Sequence, residues 1–326
     1  MFRGQTYLKK IKPDMMIILN QIKTENSILF RKSTIGKTVL CLLLSVCGMT
    51  RIAAASEAEH KPAAEILPAK ISPQQTVRLK TWPEKIYLRG RDSRQQLLVT
   101  GFADDEKTFD LTRAVKYKLK DPQLASVNEL GIITPAASGK TELQISWGKL
   151  KQTLPVVIKQ GETYLPLSFE NDIAPILTRR GCNGGGCHGK SDGRGGFQLS
   201  LFGFQPEQDY EWITRDIRGR RIFPAAPEDS LLLRKATMKI PHGGGKRLEE
   251  ATPEYNRLVR WIEANTPHGP ADKPQIVKLT VEPAFESLSH HDQHQLTGTA
   301  HYSDGSRRDV TPLVEFRSKN TSVATV

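Results

Sequence analysis

The chain has 326 residues, of which 38% are hydrophobic and 25% are charged, and its formal net charge is +12. Residues 1–55 carry nine Lys/Arg and two Asp/Glu, so they supply +7 of this total and leave +5 for the rest of the chain. A charge of that size is ordinary for a folded protein, and we expect no nucleic-acid partner.

The first 55 residues have the features of an export signal. Basic residues precede an apolar run at 39–49 that is too short to span a bilayer comfortably. Three alanines at 53–55 follow it, as at a signal-peptidase site. We predict a signal peptide with a long basic leader over 1–55, export to the periplasm or cell surface, and no transmembrane helix after cleavage.

The next two segments are predicted to be a linker and a β domain. Residues 56–74 are rich in Ala, Glu and Pro, which is typical of a flexible linker. Residues 75–160 contain short alternating apolar runs bounded by turn residues, a pattern that predicts strands. The seven runs lie at 77–79, 86–88, 97–100, 115–119, 132–133, 142–147 and 154–158. Seven strands in this length predict an all-β, immunoglobulin-like sandwich.

The most specific motif is Cys182-Asn-Gly-Gly-Gly-Cys187-His188. Two cysteines followed at once by a histidine are the arrangement that attaches c-type haem, with the histidine binding the iron. The spacer has four residues instead of the usual two, and its glycines keep side chains away from the porphyrin. We predict one covalent haem c, with Cys182 and Cys187 as thioethers and His188 as the proximal iron ligand.

Two other interpretations of this motif remain open. The remaining cysteines, Cys41 and Cys47, lie within the predicted signal peptide. In an oxidising compartment Cys182 and Cys187 could therefore pair with each other as a small-loop disulfide. A zinc site would need a fourth ligand besides the two cysteines and His188, and none has suitable spacing.

Amphipathic helices are predicted on both sides of the motif. Apolar residues at 173, 176 and 177 lie on one face of a short helix that leads into the first cysteine. A second helix begins near Pro253 and ends before Pro267. Helices entering and closing a haem motif are the layout of a class I-like cytochrome c, so we predict a mainly α haem domain over 165–272.

The second iron ligand must come from the segment between the motif and the closing helix. Met238 and His242 are the two candidates, and water is the third option. Methionine would raise the reduction potential, whereas a second histidine would lower it. Lys246 and Arg247 follow directly and are candidate partners for the haem propionates.

A sequence repeat occurs once in the first β domain and again near residue 326. DLTRAVKY at 110–117 recurs without a gap as DVTPLVEF at 309–316. The second copy stops at 326, before counterparts of the strands at 132–158. We therefore predict that 275–326 is the N-terminal part of a truncated second immunoglobulin-like module.

A histidine cluster precedes this second copy. His290, His291, His294 and His301 include an H-H-x-x-H pattern that could bind a transition metal. Because the pattern falls at a predicted turn and strand, we expect a solvated loop.

Taken together, these motifs resemble a family of large exported planctomycete proteins. Residues 165–272 resemble their cytochrome c-type domain, and the repeated module resembles bacterial immunoglobulin-like domains of group 2. In that family the haem domain lies between immunoglobulin-like modules and precedes C-terminal domains of poorly defined role. The family also has a P-H-G-G-G-K/R segment that matches 241–246, which favours His242 over Met238 as the distal ligand.

Three functions from different classes follow from these predictions. The preferred one is electron transfer with an unknown redox partner protein, the β modules acting as spacers or docking surfaces and the chain itself not acting as a catalyst. The second is the haem-bearing part of an exported enzyme whose catalytic domain lies beyond residue 326. The third is an adhesion or scaffold protein with a Cys182–Cys187 disulfide, whose modules bind a cell-surface glycan or protein.

Overall fold

The computed structural model describes residues 16–18, 71–286, 288 and 291–326. These residues are rich in β-structure, and α-helix among them occurs only between 174 and 263. Apart from one short strand, β1 (Met16–Ile18), the predicted signal peptide lies outside the described residues. So do residues 56–70 of the predicted linker and His290.

The first β region contains ten strands, and each of the seven predicted runs overlaps one of them. The strands are β2 (Arg78–Trp82), β3 (Ile86–Arg89), β4 (Gln95–Gln96), β5 (Leu98–Phe102), β6 (Thr108–Asp110), β7 (Lys116–Leu119), β8 (Ala125–Val127), β9 (Ile132–Pro135), β10 (Gly139–Trp147) and β11 (Leu150–Lys159). The three that sequence analysis missed, β4, β6 and β8, have two or three residues each, too few for an alternating pattern to be visible.

These strands form three small sheets around one apolar cluster. The largest has the order β3-β11-β10-β7, with β3 parallel to β11 and the other pairs antiparallel. The other two have the orders β2-β5-β6 and β4-β9-β8. Alternate residues of β10 and β11, including Leu143, Ile145 and Val156, are buried in the cluster, as the two-residue period of a strand requires.

Four α-helices follow, and they are shorter than a mainly α domain would suggest. They are α1 (Ala174–Arg179), α2 (Pro206–Thr214), α3 (Leu231–Ala236) and α4 (Pro253–Glu263). The helices predicted before and after the cysteine motif are α1 and α4. Thr252 caps α4 by accepting a hydrogen bond from the Tyr255 N–H, and Pro253 occupies its first turn. Among the described residues, no helix is long and apolar enough to cross a membrane.

The last β region consists of a three-stranded sheet and one further pair. The strands are β12 (Ile276–Glu282), β13 (Thr297–Tyr302), β14 (Arg307–Asp309) and β15 (Glu315–Arg317). The sheet order is β12-β13-β14, and β15 pairs with β1 in antiparallel register. Val310, Leu313 and Val314 from this region are buried in the same apolar cluster as Leu177 and Trp261 of the helices. This β region therefore shares one core with the helical segment.

The repeat seen in the sequence is also a repeat in structure. One carboxylate oxygen of Asp110 accepts a hydrogen bond from the Thr112 N–H at 2.8 Å. Asp309 accepts from the Thr311 N–H, also at 2.8 Å. Each Asp-x-Thr turn is thus closed by its own aspartate, as Asx turns are.

The two copies also bind each other crosswise. The second carboxylate oxygen of Asp309 accepts the Gln96 N–H of the first region at 2.6 Å. The second carboxylate oxygen of Asp110 accepts the Gln295 N–H of the last region at 2.6 Å. The aspartate of each copy therefore accepts a hydrogen bond from the backbone of the other β region.

Candidate functional site

The cysteine motif folds back on itself at the end of α1. The Cys182 N–H donates to the Leu177 carbonyl at 2.9 Å, which extends the last turn of the helix. The Cys187 N–H then donates to Gly184 at 2.9 Å, and the His188 N–H donates to Cys182 at 3.0 Å. These bonds return His188 to the start of the loop. Cys182 and Cys187 are both half-buried free thiols and form no disulfide.

Packing within the chain requires a glycine at position 189, directly after the motif histidine. It does not require one at 185 or 186 of the spacer. A Cβ atom at Gly189 would lie 1.9 Å from the Asn183 carbonyl oxygen, a contact that no side chain could make. At Gly186 a Cβ would meet no described atom within 4 Å, and at Gly185 only a Leu201 methyl at 3.8 Å. The described fold gives no reason for glycine at 185 and 186. A bound group lying against this loop would give one.

His188 is fixed by the residues that follow it. Its Nδ1 lies 2.9 Å from the Phe197 carbonyl oxygen, and the Phe197 ring packs 4.5 Å from the imidazole. Burial lowers the pKa of His188, so the ring is neutral at neutral pH. A neutral imidazole whose Nδ1 is held by a carbonyl presents Nε2 as its metal-binding nitrogen.

His242 faces His188 and is held in the same way. Its Nδ1 lies 2.9 Å from the Gly245 carbonyl oxygen, which again leaves Nε2 free. The two ring centres are 6.2 Å apart, and the ring planes differ by 8°. Met238, the alternative candidate, lies just beyond α3 with 43% of its surface exposed. The structure thus places the His242 ring 6.2 Å from the ring of the motif histidine, centre to centre.

The separation of the two ring centres is close to that of two imidazoles bound to one metal ion. With metal–nitrogen bonds of about 2.0 Å, two imidazoles on opposite sides of one ion have their centres roughly 6 Å apart. Leu201 and Phe204, which follow the loop, are 45% and 67% exposed. Exposed apolar side chains beside the loop are the kind of surface that a porphyrin would cover.

Arg247, one of the two candidate partners for the haem propionates, lies beside Cys187. Its Nη2 is 3.7 Å from the Cys187 sulfur, and its Nε donates to the Gly244 carbonyl at 2.8 Å. Lys246, the other propionate candidate, forms an exposed ion pair with Glu249 at 2.6 Å.

Burial favours the thiol form of the Cys182 side chain. Burial raises the pKa of Cys182 to about 11, and the positive charge of Arg247 opposes this only in part. Because the thiolate is the reactive species in thiol–disulfide exchange, a protonated Cys182 exchanges slowly at neutral pH.

No cluster suited to a protein-only metal site is present among the described residues, where no three His, Cys, Asp or Glu side chains converge on one point. His301 of the histidine cluster instead has its Nε2 3.0 Å from the Thr280 hydroxyl, and His294 lies 4.0 Å from a Glu286 oxygen.

Two residues that support the site, Phe197 and Arg221, were missed by sequence analysis. Arg221 is 3% exposed, and its guanidinium lies 4.4 Å from the centre of the Phe197 ring. It also donates to the Gly196 carbonyl at 2.6 Å, so it fixes the segment that orients His188. Nothing in the sequence marks either residue, because both reach the site through contacts between separate segments. Gly189 had a visible signal, since it directly follows the motif histidine.

Comparisons with known proteins add little to this description. No protein-family model matches the chain, and no curated protein sequence matches it. Among solved structures, it is similar to domains 4 and 5 of the S-layer protein SbsC, with 17% identity, a TM-score of 0.23, and coverage of 26% of this chain and 52% of that one. SbsC domains 5–6 give 16% identity, a TM-score of 0.23, and coverage of 26% and 44%. The aligned part spans about half the length of these structures.

Proposed function

We propose that this chain is an exported c-type cytochrome that binds one covalent haem and transfers electrons. In this proposal residues 165–272 form a class I-like cytochrome c domain. Residues 75–160 form an immunoglobulin-like sandwich, and residues 275–326 form the N-terminal part of a second such module. The single observation that carries the proposal is the parallel placement of His242 opposite the histidine of a Cys-x4-Cys-His loop, with 6.2 Å between the ring centres.

Each residue of the site has a distinct task. Cys182 and Cys187 would hold the haem through thioethers, and His188 and His242 would bind its iron. Carbonyl groups at Phe197 and Gly245 accept from Nδ1 of the two rings and so orient both of them. The haem supplies a one-electron carrier, and ligation by two protein side chains favours electron transfer over substrate chemistry.

The β regions are docked onto the helical segment, which favours a supporting or docking role over that of flexible spacers. Arg308 of the last β region donates to Asp172, just before α1, at 2.8 Å. Asp92 of the first β region forms ion pairs with Arg257 and Arg260 of α4. Both helices that flank the site are thus tied to a β region. The redox partner would meet this assembly as a whole.

The proposal is tested by a denaturing gel stained for haem peroxidase activity. The protein would be exported in a strain that has a cytochrome c maturation system, beside the Cys182→Ala/Cys187→Ala variant. We expect haem that survives denaturation in the parent protein and is lost in the variant. Cys41→Ala/Cys47→Ala is the matched control, because it removes the two cysteines of the predicted signal peptide and should keep the stain.

An unstained parent band would contradict the proposal. It would leave a β-rich scaffold, with Cys182 and Cys187 available for a disulfide, as the better account. Mass spectrometry of the same unstained protein, before and after reduction, would then show whether that disulfide forms.

A further inference from the structure

We infer that Arg194 and Arg247 are positioning residues that hold the His242 loop against the cysteine loop and so set the separation of the two imidazoles. This inference rests on the proposed function. It adds that distal ligation by His242 depends on two guanidinium groups that bridge the loops.

Arg194 connects the spacer of the motif to the distal loop. Its Nη1 donates to the Gly186 carbonyl at 3.2 Å. Its Nη2 lies 3.5 Å from the position that a Cβ atom would take at Gly243, the residue directly after His242. The Arg194 guanidinium therefore binds the proximal loop next to Cys187 and occupies the space beside Gly243 of the distal loop, next to His242.

Arg247 makes the same connection from the other chain segment. Its Nε donates to Gly244 at 2.8 Å, within the distal loop, and its Nη2 lies 3.7 Å from the Cys187 sulfur. The His242 ring also occupies the space beside Gly244, since a Cβ there would lie 2.9 Å from the imidazole Cε1. The guanidinium thus spans the distance from the haem-attachment sulfur to the peptide that supports the distal ring.

The distal loop needs such braces because it has little packing of its own. Residues 243–245 are all glycine, and at Gly245 no described atom lies within 4 Å of a Cβ position. Gly245 has a φ of +73°, which glycine adopts without strain. A segment without side chains gains no apolar burial and loses the most backbone entropy on ordering. Polar contacts from outside the loop must therefore fix its position.

Arginine is the side chain suited to this task. Its planar fork presents several N–H groups at fixed angles, so one residue can donate to a carbonyl and contact a second group at once. Lysine carries the same charge as a single flexible point and cannot bridge two loops in this manner. A bridging role and a purely electrostatic role are therefore separable by substitution.

The test uses the haem-loaded, full-length protein and its reaction with carbon monoxide after reduction. Iron held by two histidines binds the gas only when one ligand leaves, so the parent should be low-spin and bind slowly. We expect Arg194→Gln/Arg247→Gln to bind carbon monoxide at least 10-fold faster and to gain high-spin absorption. His242→Ala lacks the proposed distal ligand, so it gives the carbon monoxide binding rate expected when that ligand is absent. Arg215→Gln, which removes an exposed pair with Glu211, should match the parent.

Two single lysine variants show whether the arginines act by bridging the loops or only by their positive charge. They also keep the test valid if the double glutamine variant loads no haem. Arg247→Lys and Arg194→Lys should shift the rate in the same direction as the glutamine variants. Lysine variants that match the parent would overturn the bridging role, and so would a double variant with unchanged spin state and rate. A parent without haem would instead contradict the proposed function, and the gel above detects that case separately.

Discussion

The two copies of the Asp-x-Thr motif build the same local structure but are covered by different partners. In the first copy Leu111 and Val115 are buried against strands of their own region, in the cluster that contains Ile145. In the second copy their counterparts Val310 and Val314 are buried in the cluster that also contains residues of the helices. The motif therefore decides which face points inward, and the rest of the chain decides what covers it.

This difference shows how the apolar face of the last β region is buried, since it shares its cluster with residues of the helices. The cluster that contains Val314 also contains Leu177 of α1, five residues before the first cysteine of the motif. Packing of the last β region is thus continuous with the helix that leads into the site. We expect changes in the second copy to affect the site, and equivalent changes in the first copy to leave it intact.

The largest effect on stability is expected for Asp309→Ala. The Asp309 side chain is fully enclosed, and its carboxylate accepts N–H groups from Thr311 and from Gln96. Hydrogen bonds to a charged group each contribute about 1.5–3 kcal/mol, so we expect a loss of about 3 kcal/mol in the free energy of unfolding. Urea unfolding would measure it.

Substitutions of two further aspartates show whether the crosswise bonds account for the loss of stability in Asp309→Ala. Asp110→Ala removes the reciprocal bond, and a loss of about 2 kcal/mol is expected. Asp304→Ala, in an exposed turn of the same β region as Asp309, should change little. If Asp309→Ala were as mild as Asp304→Ala, the crosswise bonds would not hold the two regions together.

Asp172→Asn should have the next largest effect, because it cuts a tie that only the second copy has. Arg308, which binds Asp172, occupies the position that Phe109 has in the first copy. The substitution leaves Arg308 without its counter-ion, and we expect a loss of about 2 kcal/mol. The exposed Asp272→Asn is the matched control. Equal unfolding midpoints for the two variants would show that the tie contributes nothing.

The smallest of these effects on stability, and the clearest contrast, comes from Val115→Ala and Val314→Ala. Each removes two buried carbons, at a cost of about 1.5 kcal/mol including the space left behind. Only Val314 shares a cluster with α1, so haem per chain should fall for Val314→Ala alone. Equal haem content in the two variants would contradict a link between the second copy and the site.

The strands and flanking helices were predictable because their signals are local. The seven alternating runs, the apolar stripe before Cys182 and the Pro253 start of α4 each lie within a short window. The same holds for the repeat, whose second copy keeps the spacing of Asp, Thr and Val. Local periodicity also indicated which faces are buried, since alternate residues of a strand point to opposite sides.

The rest depends on contacts between distant segments. Arg194 and Arg221 reach the His188 region through main-chain carbonyls, which carry no sequence signature. The crosswise bonds of Asp110 and Asp309 join residues 185 and 213 positions apart, and their partners are backbone N–H groups. The requirement for Gly189, and the open space at Gly186, depend on the path of the loop and not on composition.

The most direct test of the central claim is electron paramagnetic resonance of the ferric, haem-loaded protein. Ligation by His188 and His242 predicts a low-spin signal typical of two imidazoles. That signal should be unchanged in Met238→Leu and replaced by a high-spin signal in His242→Ala. A low-spin signal that survives His242→Ala, or one that disappears in Met238→Leu, would contradict the account.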